Sequence, residues 1–150
     1  MEYNLPSELV KDLAFGDEAK SKVITGVNKL AQAVKSTLGA SGKCVVYEDG
    51  RGKPVITKDG VTVAESVVLF DPVENMGATL IKEAARNTVR DAGDGTTTAT
   101  VLAEALIKQI DTAIADGLTI REIKDGVNET LDGVISYLNN ISVEVEGDML

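Results

Sequence analysis

The chain of 150 residues contains no histidine and a single cysteine, Cys44. The first absence removes the usual general base near neutral pH and the commonest zinc ligand. The second rules out an internal disulfide and a cysteine-held metal cluster. Cys44 stands in an apolar, strand-like run with Val45, Val46 and Tyr47, and reads as a buried structural thiol rather than a nucleophile. Positive charge is also scarce: 15 Lys and Arg against 24 Asp and Glu give a net charge of −9, which argues against a general binder of phosphate backbones. No apolar run approaches membrane-spanning length, and Met1 to Lys11 lacks the basic start and apolar stretch of a secretory leader. The expectation is a protein of the reducing cytoplasm, with neither nucleic acid nor membrane as partner. What is present, 43% hydrophobic and 26% charged residues, suits one ordinary globular domain with a substantial core.

Apolar residues recur at helical spacing in four stretches. Ala19, Val23, Val27, Leu30, Ala31, Val34 and Leu38 predict a first long helix that stops at Gly39. Cys44–Tyr47 and Val55–Thr57 read as short strands, and residues 48–54 have hairpin-turn chemistry. Lys58-Asp59-Gly60 reads as a second tight turn, followed by Val61 to Val68. Asp71-Pro72 opens a second long helix with Leu80, Ile81, Ala84, Ala85 and Val89 on its apolar side. A third helix carries Ala99, Val101, Leu102, Ala105, Leu106 and Ile110 and stops at Gly117. Thr119 and Glu122 form a capping box for a fourth, with Ile120, Ile123, Val127, Leu131, Ile135 and Leu138 inward. Ile141 to Leu150 begins a strand-like segment. The predicted fold is mainly α: a bundle of long helices with a small β-hairpin.

Three loops carry candidate chemistry. Gly93-Asp94-Gly95-Thr96-Thr97-Thr98 leads into the third helix, whose first turn leaves backbone N–H groups unpaired and carries the positive end of the helix dipole. An anion fits there, and the threonine hydroxyls add donors. Asp94 would repel a bare phosphate, whereas a bridging divalent cation makes the carboxylate useful, as in magnesium nucleotides. Ordinary N-capping accounts for Asp or Thr before a helix, although three β-branched residues exceed what one cap needs. Thr37 to Gly42 lies at a helix C-terminus, where carbonyls suit a cation or a ribose edge, or simply a glycine cap. Lys58-Asp59-Gly60 is either a plain turn or, facing the Thr-rich helix, a second carboxylate that orients water. No Walker-type phosphate loop occurs.

Taken together, Thr37-Leu-Gly39, Ile56-Thr-Lys-Asp-Gly-Val61, Glu74-Asn-Met-Gly-Ala78 and Ala92-Gly-Asp-Gly-Thr-Thr-Thr-Ala-Thr-Val-Leu102 resemble the N-terminal part of a group I chaperonin, the 60 kDa ring-forming folding machine. The resemblance runs from Phe15 to Val143. It implies that residues 1–142 are the N-terminal half of an equatorial nucleotide-binding domain and that 143–150 begin an intermediate domain. By the same resemblance Thr37, Leu38, Gly39 and Ala40 line an ATP pocket, Asp94 binds Mg2+, and Gly95, Thr96, Thr97 and Thr98 wrap the phosphates. Lys58 offers its backbone to K+, and Asp59 is the catalytic residue that positions the hydrolytic water. The hairpin reaches a neighbouring subunit. Ala40 and Ser41 stand where the family has proline and then lysine. The implied activity is ATP-driven encapsulation of unfolded client proteins in a homo-oligomeric ring, heptameric and single or double, with a co-chaperonin. A short, non-catalytic chaperonin-like protein that docks onto rings is the alternative.

Overall fold

In a computed structural model, residues 14–143 are described. The expected signal-free start at Met1–Lys11 and, Val143 apart, the expected intermediate-domain segment lie outside them. The chain divides into two compact units, Met1–Lys108 and Gln109–Leu150. The first holds α1 (Gly16–Lys35), β1 (Val45–Glu48), β2 (Pro54–Thr57), α2 (Gly60–Ser66), α3 (Pro72–Ala92) and the start of α4 (Thr96–Ala115). The second holds the end of α4 and α5 (Ile120–Ile141). The mainly helical fold with one antiparallel hairpin is as the sequence predicts, and α2 is an addition to it.

In the first unit Val27, Leu30 and Val34 of α1 pack against Val63 and Ala64 of α2 and Ala78 and Ile81 of α3. Small residues set the α1–α3 spacing. A Cβ at Gly26 would overlap the Glu74 carbonyl, and one at Gly77 would overlap that of Val23. Ion pairs flank the crossing, Lys22–Asp71 at 3.1 Å and Lys29–Glu74 at 2.5 Å. Asp71 also caps α3 by accepting from the N–H groups of Val73 and Glu74. Lys82 is buried, and its Nζ donates to the carbonyls of Val67 at 2.5 Å and Glu65 at 3.3 Å just beyond and within the last turn of α2. Burial pushes the Lys82 amine below its usual range.

Several expected faces are corrected. On α3, Ile81 and Ala85 are buried as expected, but Leu80 and Val89 are exposed, because the buried face runs through Gly77, Ala78 and Lys82 instead. On α4 the buried residues are Thr96, Thr100 and Glu104, with Leu102 and Leu106 exposed. Thr100 Oγ1 is satisfied by the Thr96 carbonyl at 2.9 Å. The regular part of α1 ends at Lys35 rather than running to Leu38, since the Ser36 and Thr37 hydroxyls turn back onto the Ala33 and Val34 carbonyls. Cys44 is exposed, not buried. In the register Val45↔Thr57, Val46↔Ile56, Tyr47↔Val55, alternate residues share a face. Val45 packs on the core, so Cys44 falls on the outer side with exposed Val46 and Ile56.

In the second unit the capping box is formed: the Thr119 hydroxyl accepts from Glu122 N–H, and Glu122 accepts from Thr119 N–H at 2.9 Å. Ile110 of α4, with Ile120, Ile123 and Val127 of α5, lines a shallow apolar groove. The expected inward face of α5 is not buried, and no residue of that helix is.

Candidate functional site

Two of the three loops meet through a glycine. A Cβ on Gly60, the first residue of α2, would overlap Thr97 Oγ1 and sit 3.5 Å from Val34 Cγ1. The start of α2 is therefore seated on the first turn of α4 and against the last turn of α1. Lys58 and Asp59 immediately precede that contact, and Thr37 follows Val34 by three residues, its Oγ1 donating to the Val34 carbonyl at 2.7 Å.

The Lys58-Asp59-Gly60 turn is a helix start. Asp59 caps α2: its Oδ2 accepts from Thr62 N–H at 2.9 Å and Thr62 Oγ1 at 2.5 Å, and its Oδ1 from Val61 N–H at 3.4 Å. The Thr62 hydroxyl and N–H hold the Asp59 carboxyl below the usual carboxylate range. An ionised, oriented carboxylate accepts a hydrogen bond from water well and takes up its proton poorly. Sequence reading misses α2 because Val61, Thr62 and Val63 are β-branched. The signal that identifies it is an Asp three residues before a Thr, an N-cap with a second hydroxyl in the first turn.

Asp94 is exposed between Gly93 and Gly95, whose φ values of +77° and +89° lie in the left-handed region. Its Oδ1 accepts from Gly95 N–H at 2.6 Å. The first intrahelical bond of α4 runs from Ala99 N–H to the Gly95 carbonyl, so the N–H groups of Thr96, Thr97 and Thr98 precede the helical ladder. Thr96 is buried, Thr97 half-buried and Thr98 exposed. The loop after α1 closes on itself through Lys43 N–H to Ser36 O at 2.7 Å and Gly42 N–H to Gly39 O at 3.0 Å. This leaves Leu38, Gly39 and Ala40 at the surface. Lys58 is exposed as well.

Among the described residues no cluster of three or more His, Cys, Asp or Glu could hold a metal by itself. Asp94 is the one carboxylate between Gly93 and Gly95, so a cation there would complete its shell with other oxygens, those of water and substrate among them. That requirement suits magnesium, which commonly keeps waters and binds one or two carboxylates together with substrate phosphates. The N–H groups of Thr96, Thr97 and Thr98 and the Asp94 carboxylate lie at one helix start, where the Thr96 side chain is buried and Thr97 Oγ1 packs on Gly60. The stripe Thr96, Thr100, Glu104 was not anticipated, although its four-residue spacing of polar side chains within an apolar helix is visible in the sequence. Compared with known families, residues 30–150 match the model of the TCP-1/cpn60 chaperonin family.

Proposed function

This chain belongs to the TCP-1/cpn60 chaperonin family, and we propose that it is the N-terminal, ATP-binding and ring-contact portion of a group I chaperonin subunit. Residues 1–142 would form half of the equatorial domain, and 143–150 would open the intermediate domain. The observation that carries this reading is the seating of Gly60 on Thr97 and Val34, which gathers the Asp59 and Thr-rich loops at the end of α1.

In this reading Thr37, Leu38, Gly39 and Ala40 present a backbone edge to the nucleoside. Gly95 and the first turn of α4, Thr96 to Thr98, wrap the phosphates, with the N–H groups of Thr96, Thr97 and Thr98 donating to phosphate oxygens while Gly95 N–H is held by Asp94. Asp94 provides the protein carboxylate for Mg2+, and Lys58 a backbone carbonyl for K+. Bound Mg-ATP supplies a phosphoanhydride whose charge the cation neutralises. Asp59, held ionised by Thr62, orients the attacking water rather than acting as a strong base. The β1–β2 hairpin, whose outer Val46 and Ile56 are 64% and 68% exposed, pairs with a neighbouring subunit. Turnover in a cytoplasmic heptameric ring, single or double, drives the encapsulation of unfolded clients together with a co-chaperonin.

The test is ATP hydrolysis with magnesium and potassium, by residues 1–150 alone and by the natural gene product. Turnover confined to a longer product supports the proposal. No turnover in either, with the gene ending at Leu150, favours a non-catalytic ring-docking protein. Asp94→Ala is expected to abolish magnesium-dependent ATP binding. Asp59→Asn, which keeps a capping oxygen, is expected to lower kcat more than affinity; equal losses would remove Asp59 from the water-orienting role.

A further inference from the structure

We infer that Glu104 is a positioning residue for this site, holding the loop at the end of α1 in register with the first turn of α4. The inference rests on the ATP-site reading above. Glu104 is 1% exposed. Its Oε2 accepts from Nζ of Lys35, the last residue of α1, and its Oε1 from Nζ of Lys108 at 2.6 Å. Lys35 stands two residues before Thr37. Glu104 stands two helical turns beyond Thr96 on the same buried stripe, about 12 Å along the axis. One ion pair therefore links the helix end that carries Thr37, Leu38 and Gly39 to the helix that carries Thr96, Thr97 and Thr98.

The chemistry of the pair favours positioning over bulk stability. A buried carboxylate is costly unless paired and hydrogen-bonded, and an apolar side chain fills the same space without that cost. What the carboxylate adds is direction: a short bond from each lysine fixes a distance that apolar contact leaves loose. Burial pushes the Glu104 carboxyl up, and the hydrogen bonds and charges of Lys108 and Lys35 overcome this, leaving it below the usual carboxylate range. It is ionised throughout the neutral range. Lys35 also places its charge at the C-terminus of α1, where the helix dipole favours a cation. The Val34–Gly60 contact and the Lys35–Glu104 pair together fix the last turn of α1 from two directions.

Glu104→Gln, Lys35→Met and the double variant of the natural full-length chain are compared in ATP affinity and in hydrogen exchange at the Gly42 and Lys43 amides, which close the loop. Each single change is expected to weaken ATP binding roughly tenfold and to speed exchange at those two amides more than elsewhere in α1 and α3, with the double variant no worse than either single. Native affinity and native loop exchange in both singles overturn the inference. So does faster exchange spread evenly through α1 and α3, which marks a merely structural role. Should Glu104→Gln fail to fold, Lys35→Met, altered at a half-exposed amine, carries the comparison. A wild-type chain that binds no ATP refutes the site reading instead, and loop exchange then decides alone whether Glu104 positions the loop.

Discussion

The two units of this chain each contain a helix of more than 20 residues, α3 and α5, and differ in what those helices bury. In the first, α1 and α3 cross so closely that Gly26 and Gly77 have no space for a methyl group, and Leu30 and Val34 are fully buried. In the second, α5 has a regular apolar face from Ile120 to Leu138 and fully buries none of it, only Ile123 and Val127 reaching half-burial. The lesson is that periodicity identifies a face and says nothing about its occupant. Local signals suffice to form α5, whereas the first unit depends on small residues that periodicity does not select.

Glycine substitutions break that contrast most sharply. Gly77→Val, driven into the Val23 carbonyl, is expected to unfold the first unit, at a cost beyond about 4 kcal/mol, as seen by loss of a cooperative thermal transition. Leu30→Ala should cost about 2–5 kcal/mol in denaturant titration, and Leu138→Ala, half exposed, about 0.5 kcal/mol or less. Acidification is expected to separate the units further. Asp59, Glu65, Asp71 and Glu104 of the first unit, against Glu122 of the second, have lowered values when folded, so their contribution is complete above the unfolded values of about 4 and is lost as pH falls through the folded ones. Urea titrations from pH 7 to pH 3 should show this loss, with a shallower slope in Glu104→Gln. Thr119→Ala removes the capping box and should cost α5 about 1 kcal/mol, read as faster exchange at Glu122 and Ile123. Gly133→Ala has open space around it and should stabilise α5 by about 0.5–1 kcal/mol, the opposite sign to Gly77.

The same contrast explains what was legible beforehand. The hairpin, the helix starts at Pro72, Thr96 and Ile120 and the glycine-bounded loops are local, and the sequence states them. The inner faces of α3 and α4 are not local. Leu80 is outside because Gly77 and Ala78 must be inside for α1 to approach, and Glu104 is inside because Lys35 lies opposite. Of the candidate site, each loop motif is readable alone, and the family resemblance orders them. The contact of Gly60 with Thr97 is a tertiary fact. So is the capping role of Asp59, hidden by a β-branched segment that passes for a strand.

Lys82 offers an unplanned gauge of this architecture. Its amine is enclosed beneath the end of α2, bonded to two carbonyls, and acylating reagents reach it only when the α2–α3 joint opens. Exposed Lys43 and Lys58 would react at the rate the reagent sets. The labelling rate at Lys82, divided by theirs, would count how frequently the first unit breathes and so time the motion of the ground on which the Asp59 loop stands.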